Sequence, residues 1–268
     1  MSANNDTISK TILVAVLLCL VCSVIVSGAA VSLKPIQVEN KLLDKRKNVL
    51  AAAGLLEDGK SVEELFKQVQ TRIVNMETGE YATDAEIAEL EKAGYKVSNF
   101  DQKKLAKDGS FSAKLSGDQD LAQIKRLEKF AAVFLVEKEG KIDRIILPVH
   151  GYGLWSTMYG FVALEGDAET IAGLGFYAHG ETPGLGGEID NPAWKALWTG
   201  KKLHNTEGAV AIDVIKGKVD KSLPTAINQV DGLSGATLTS RGVGNLMQFW
   251  MGEQGFASYL TKLKEQGV

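Results

Sequence analysis

The sequence predicts an α+β protein, with one N-terminal membrane-spanning helix followed by an antiparallel or mixed sheet and packed helices. Three observations carry this expectation. Residues 11–33 hold no charge and are rich in Leu, Val and Ile. Between residues 130 and 215, short apolar runs alternate with turn residues, the texture of strands. Near the C-terminus Val243, Leu246, Met247, Trp250 and Met251 fall on one face of a helix.

The totals narrow the function classes. A chain of 268 residues, 45% apolar, can bury a sizeable core. Thirty basic against 33 acidic side chains give a net charge of −3, which leaves no electrostatic footprint for nucleic acid. The two cysteines, Cys19 and Cys22, both lie in the apolar run, so disulfide scaffolds, zinc clusters and cysteine nucleophiles are excluded from the remainder.

As a helix, residues 11–33 would be about 34 Å long, enough to cross a bilayer core. Ser27-Gly28-Ala29 resembles a signal-peptide cleavage site, but the run exceeds the usual ~7–15-residue signal core, so an uncleaved anchor in the lipid bilayer is expected. Residues 1–10 form a tail before it. Lys34, Lys41, Lys45, Arg46 and Lys47 follow the span, and a positive-inside count would place the large domain in the cytoplasm, although long domains translocate largely regardless of charge.

Residues 34–120 read as a membrane-proximal helical and connecting region. Leu42, Leu43, Val49, Leu50 and Ala53 suggest a helix over 40–56, ended by Gly54 or Gly59. Gly54-Leu55-Leu56-Glu57-Asp58-Gly59-Lys60-Ser61 matches the phosphate-loop pattern G-x-x-x-x-G-K-[ST], but the preceding residues read as helix where that mechanism needs a strand. Ser61 and Glu64 read instead as a capping box. A helix is expected over 84–92, capped by Thr83 or Asp84 and closed by Gly94. Residues 98–119 are polar and turn-rich, suiting a linker or a surface excursion.

The remainder, 121–268, forms the expected main domain. Strands are expected over 130–136 and 141–149, joined by a Glu139-Gly140 turn, then over 159–165, 170–177 and 210–215. Asn191, Pro192 and Gly200 delimit a short helix over 192–199. The last helix is expected to begin near Thr239 or Ser240, both suitable caps, which would leave Thr237 just before its positive end, where a phosphate is favoured.

Three stretches carry the candidate chemistry. Gly151 to Gly160 alternates glycines, hydroxyls and aromatics, including Leu154, Trp155, Ser156 and Thr157. His179 to Glu188 is a glycine-rich loop that could take a flat ring against its backbone, with Glu181 and Thr182 at the ring edge; a long turn explains it equally. Asp231 to Ser240 places the small residues Gly235 and Ala236 beside the Thr237 hydroxyl. His179 with Glu181 and Glu188 is not a metal signature and is read as structural or pocket-lining. No G-x-S-x-G serine supports a hydrolase, and no catalytic side chain or metal site is assigned.

Together these motifs resemble a known family. Asp231-x-x-Ser234-Gly235-Ala236-Thr237 resembles the flavinylation motif of FMN-binding domains, in which the threonine carries FMN through a phosphoester bond. His179-Gly180-Glu181-Thr182-Pro183-Gly184-Leu185-Gly186 is similar to the second signature of that domain. Both occur in sodium-pumping NADH:quinone oxidoreductases and in Rnf electron-transport complexes, and Gly153 to Gly160 looks more like the C subunits of the former. The resemblance implies one covalent FMN on Thr237, flanked by Ser234, Gly235 and Ala236. Its ring would lie among Leu154, Trp155, Ser156, Thr157, Glu181, Thr182, Pro183, Gly184 and Leu185. It implies an electron carrier among other subunits of a membrane NADH:quinone reductase, matured by a flavin transferase. The domain would then face the periplasm of the bacterial inner membrane, against the charge count. A G subunit of an Rnf complex and a membrane-anchored flavin-binding sensor are the alternatives.

Overall fold

The computed structural model describes residues 7–266. Residues 1–6 of the expected N-terminal tail, and 267–268, lie outside the described residues. The chain divides into two compact units, one up to Asp44 and the other from Lys45 onward.

The first unit is helical. Helix α1 runs Ile8–Ala52, and its residues through the apolar run are exposed. The sequence suggested separate helices over 11–33 and 40–56, whereas α1 is continuous through Pro35. No glycine or turn cluster separates the two stretches, and a lone proline removes one hydrogen bond without forcing a stop.

Within the second unit, α1 ends as the sequence suggested. Gly54 takes φ +68°, and the Leu55 N–H returns to the Leu50 carbonyl at 2.8 Å, a Schellman-type closure. Helix α2 (Val62–Phe66) follows, with Ser61 Oγ accepting the Glu64 N–H. A helix therefore precedes the loop that matched the phosphate pattern, and the end of α1 accounts for Gly54 while the start of α2 accounts for Ser61. Helix α3 (Asp84–Lys92) carries a complete capping box between Thr83 and Glu86.

The described residues form ten strands, in chain order β1 (Val69–Asn75), β2 (Glu80–Tyr81), β3 (Ser112–Lys114), β4 (Arg126–Glu128), β5 (Phe130–Lys138), β6 (Lys141–Tyr152), β7 (Thr157–Glu165), β8 (Ile171–Ala178), β9 (Asp213–Val214) and β10 (Gln229–Val230). Six of them form one antiparallel sheet in the order β2-β1-β5-β6-β7-β8. β3 pairs with β4, and β9 pairs in parallel with β10, so the sheets are mixed. Of the strand expected over 210–215 only Asp213–Val214 forms, with an isolated bridge from His204 to Val210.

Alternate residues of the central strands bury opposite faces. Val133, Leu135, Ile145, Leu147 and Val162 pack against helix α6 (Thr237–Met251) and helix α7 (Ala257–Glu265) through Leu246, Met247, Trp250 and Leu260. On the other face Ala132, Phe134, Ile146 and Phe161 meet Leu50, Leu65, Leu90 and Phe100. Both faces are covered, so β5 and β6 read as nearly continuous apolar runs. Residues 98–119 form a packed excursion: α4 (Gln102–Leu105) and its flanks bury Phe100, Leu105 and Phe111. Helix α5 (Pro192–Lys195) continues as a 3-10 turn over Ala196–Trp198, with Asn191 accepting the Ala193 N–H.

At Gly173 of β8 a Cβ would collide with the Ala52 carbonyl oxygen, a backbone atom that cannot rotate away. Gly173→Ala is expected to destabilise the protein by about 1–3 kcal/mol, read as a lowered urea midpoint with an unchanged slope.

Candidate functional site

The site forms where the β6–β7 hairpin tip, the loop after β8 and the start of α6 converge. At the hairpin, Gly153 N–H closes on the Ser156 carbonyl at 2.8 Å, leaving Leu154 and Trp155 at the exposed tip. After β8, Thr182 O accepts the N–H groups of Leu185 (3.1 Å) and Gly187 (2.9 Å), and Gly184 takes φ +74°. This turn leaves Thr182, Pro183, Gly184 and Leu185 exposed.

One carboxylate joins the three segments. Glu181, 5% exposed, accepts the backbone N–H groups of Leu154 (3.1 Å), Trp155 (3.0 Å) and Ser156 (3.3 Å). Its Oε2 also accepts the Thr239 hydroxyl at 2.6 Å. Three successive N–H groups turned toward one anion form a backbone nest. The sequence reading set this carboxylate at a ligand edge, whereas both its oxygens here face protein donors. Burial pushes the Glu181 carboxyl up, but the Thr239 hydroxyl and the three amides outweigh it and hold the group below the usual glutamate range. Ser156 adds a second tie, its Oγ accepting the Gly180 N–H at 2.6 Å.

The glycines of the motifs make room for this bracket. A Cβ at Gly153 would lie 2.6 Å from Glu181 Oε1, and one at Gly186 would lie 2.5 Å from Thr239 Oγ1 and 2.9 Å from Glu181 Oε2.

Helix α6 begins at Thr237, two residues earlier than the first expected cap. Thr239 and Ser240 are inside the helix and buried: Thr239 donates to Glu181, and Ser240 Oγ accepts the Leu233 N–H at 2.9 Å. Their hydroxyls serve tertiary contacts, so Ala236 stands at the cap position without a side-chain bond. The first intrahelical bond is Ser240 N–H to Ala236 O, and the N–H groups of Thr237, Leu238 and Thr239 precede it. Thr237 is thus the first helical residue, exposed, with its hydroxyl unbonded among the described residues.

Asp231 at the head of the motif is structural: its Oδ1 accepts the Val219 N–H and its carbonyl accepts Trp194 Nε1–H, both at 2.8 Å. Gly235 takes φ +73°, and a Cβ there would lie 3.2 Å from Leu185 Cδ2, which sets Leu185 beside the turn leading to Thr237. A cavity of about 900 Å³ also borders Thr237, taking in Ser234, Gly235 and the basic side chains Lys216, Lys218 and Arg241. The hairpin tip and the 181–185 turn lie outside that lining, so Thr237 stands between a cation-flanked cavity and an apolar rim of Leu154, Trp155, Leu185 and Leu238.

His179 and His204 have structural partners. His179 Nε2 contacts Asp190 Oδ2 at 2.8 Å, and its Nδ1 accepts the Glu181 N–H at 3.2 Å. His204 pairs with Glu169 at 2.7 Å, a partner 35 residues distant that local spacing could not reveal.

Comparison with known proteins finds relatives along the whole chain. The FMN-binding domain family matches residues 153–252, which contain the second and third segments and the first from Gly153 onward. The C subunit of a Na(+)-translocating NADH-quinone reductase from Pseudomonas aeruginosa is 52% identical over 267 residues, covering 98% of each chain. Its counterpart from Vibrio parahaemolyticus is 45% identical and covers both chains fully. The crystal structure of NqrC from Shewanella oneidensis superposes with a TM-score of 0.74 at 36% identity, over 85% of this chain and 99% of that one.

Glu181→Gln removes one acceptor oxygen from this bracket and is expected to destabilise the protein by about 1–3 kcal/mol. Because the folded carboxyl titrates below its unfolded value, its contribution is present above the ordinary glutamate range and is lost as pH falls through the folded value. Denaturant titrations in acid should show this loss in the parent and not in Glu181→Gln.

Proposed function

Since the chain belongs to the family of Na(+)-translocating NADH-quinone reductase C subunits, we propose that it is an electron-carrying subunit of such a complex, with one FMN joined to Thr237 by a phosphoester bond. The observation that carries this reading is the start of α6, where an exposed, unbonded hydroxyl stands at an uncapped helix N-terminus inside the matched FMN-binding region.

The residues fit the group. The N–H groups of Thr237, Leu238 and Thr239 would receive the phosphate oxygens, in the field of the helix dipole. Lys216, Lys218 and Arg241 make the adjoining cavity cationic. Ser234, Gly235 and Ala236 leave room for approach. Leu154, Trp155, Ser156 and Thr157 on one side, and Thr182, Pro183, Gly184 and Leu185 on the other, would wall the ring. Glu181 acts through them as a positioning residue, holding the hairpin tip and the loop at fixed separation from α6. FMN supplies the electron-transfer chemistry, which none of these side chains has.

Helix α1 is long and apolar enough to span a membrane, and we assign its residues 11–33 to the bilayer. The division that follows is a membrane-proximal region over 34–120 and a flavin-binding region over 121–268. We place the latter in the periplasm, where a flavin transferase would modify Thr237, with residues 1–10 in the cytoplasm. The other subunits of the reductase are its electron-transfer partners.

Co-expressed with a flavin transferase, the protein should remain fluorescent on a denaturing gel under ultraviolet light. Thr237→Ala should abolish that signal while the circular dichroism spectrum persists, and undiminished fluorescence in the variant would move the attachment elsewhere. A reporter active only in the periplasm, fused to the C-terminus, should be active; a silent fusion would restore the orientation given by the charge count.

A further inference from the structure

Away from this site, Glu128 at the end of β4 is completely buried. Its Oε1 accepts a hydrogen bond from Gln102 Nε2 at the head of α4. Its Oε2 has no partner, and neither does the buried Oε1 of Gln102. Two acceptors are therefore stranded on two groups already joined through their other atoms. One proton would satisfy both: a carboxylic acid at Oε2 would donate to the Gln102 carbonyl while Oε1 accepts the Gln102 amide, a cyclic acid–amide pair. An ionised carboxylate offers only acceptors, so it would leave both oxygens unsatisfied at a cost typical of buried polar groups.

Among the described residues no cation is hydrogen-bonded to Glu128, and Lys45 Nζ, beside α4, donates to the Phe100 carbonyl at 2.6 Å. His150 on β6 has its Nδ1 3.8 Å from Glu128 Oε1, beyond hydrogen-bond reach, and burial pushes its imidazole down to about 3, so it is neutral. Its ring stacks on Tyr159 of β7, over which Lys103 Nζ sits at 4.3 Å from the centroid. Asp101, beside α4, and Glu128 both push the Tyr159 and Tyr177 phenols up, behind the larger effect of burial. On its own strand, Arg126 is bound to Ser112 Oγ and the Ser112 carbonyl. Among the described residues no lysine or arginine forms an ion pair with Glu128.

We propose that Glu128 is a proton-binding site, and that its neutral acid paired with Gln102 is a pH-sensitive latch holding α4 against β4 and so closing the packed segment 97–128 on itself. Desolvation raises the Glu128 carboxyl to about 7. A folded value above the unfolded one means the folded state binds the proton more tightly. This stabilisation is complete below the ordinary glutamate range and is lost as pH rises through about 7. His150, buried neutral, works with the opposite sign: its cost is felt in acid and is gone above the ordinary histidine range. Of these two neighbours, only Glu128 is left to change its contribution from about pH 7 to about pH 8.5.

The latch bears on the hairpin tip through the same excursion. Ala122 O accepts the Tyr152 N–H at 2.8 Å, the last backbone bond before Gly153. The excursion thus braces the strand that enters the tip, and Glu181 braces the tip itself. Release of the proton would loosen the first brace and leave the second intact.

The test compares the full-length protein with Glu128→Gln, since a glutamine can accept at its oxygen and donate from its amide in the pattern of the neutral acid. From about pH 6 to about pH 8.5 the unfolding constant of the parent should rise about tenfold more than that of the variant. A parallel pH dependence in the two proteins overturns the proposal. Infrared spectra of the parent provide a readout that does not need the variant to fold. A buried carboxylic-acid carbonyl band present at about pH 6 and gone at about pH 8.5 supports the latch, and a carboxylate throughout overturns it.

Discussion

The Glu181 carboxylate is the interaction on which the rest of the site depends. It faces three consecutive backbone amides of the β6–β7 tip and a hydroxyl two residues into α6. Hydrogen bonds to a charged acceptor in a dry setting are among the stronger ones proteins make, and removing the acceptor strands every donor at once. Without this bracket the tip would be an exposed hairpin end, free to move as loop tips do. With it, Leu154 and Trp155 hold one orientation relative to Thr237 although neither is buried.

The bracket also explains why the motifs contain the residues they do. Gly153 and Gly186 lie so close to the carboxylate that a methyl group at either would collide with it. Gly242, inside α6, admits the Tyr152 carbonyl in the same way, a Cβ there falling 2.6 Å from that oxygen. The far end of α6 is fixed where Trp250 Nε1–H donates to the His150 carbonyl at 2.6 Å. The helix that presents Thr237 is therefore tied to β6 at its far end and, through Thr239 and Glu181, to the hairpin tip at its start.

Much of this was legible in the sequence because local chemistry and tertiary packing agree. Thr83 and Glu86 cap α3 as their spacing suggested, and Asn191, Pro192 and Gly200 bound α5 and its 3-10 extension. The strands from β5 to β8 announced themselves through apolar runs. Elsewhere tertiary structure prevailed over local preference. Thr239 and Ser240 are good caps by type, yet their hydroxyls are drawn to Glu181 and to the Leu233 amide, and the helix starts at Thr237 instead. β1 was hidden because Gln70, Thr71 and Arg72 interrupt its apolar pattern; its full pairing with β5 from Val69 to Asn75 makes it a strand. The Glu181 bracket was hidden for another reason: its partners lie 25 to 58 residues away, and nothing in a loop rich in glycine signals that its one buried acid faces inward.

The openness of the site gives the proposed tether its physical sense. Pockets that retain a small molecule by affinity bury about 70–90% of its surface, whereas Trp155 here is 65% exposed and Leu154, Leu185 and Leu238 are exposed as well. An apolar rim of this kind offers contact on one side and leaves the opposite side to solvent or to a partner. The proposed covalent bond at Thr237 would relax the affinity requirement, because attachment replaces binding from bulk with an intramolecular encounter at high effective concentration. The walls then need only to orient the ring, and a small number of positioned groups on a rigid frame can do that. Exposure, a defect in a site that must hold its ligand by burial, becomes an asset in one that must bring a cofactor within reach of another protein.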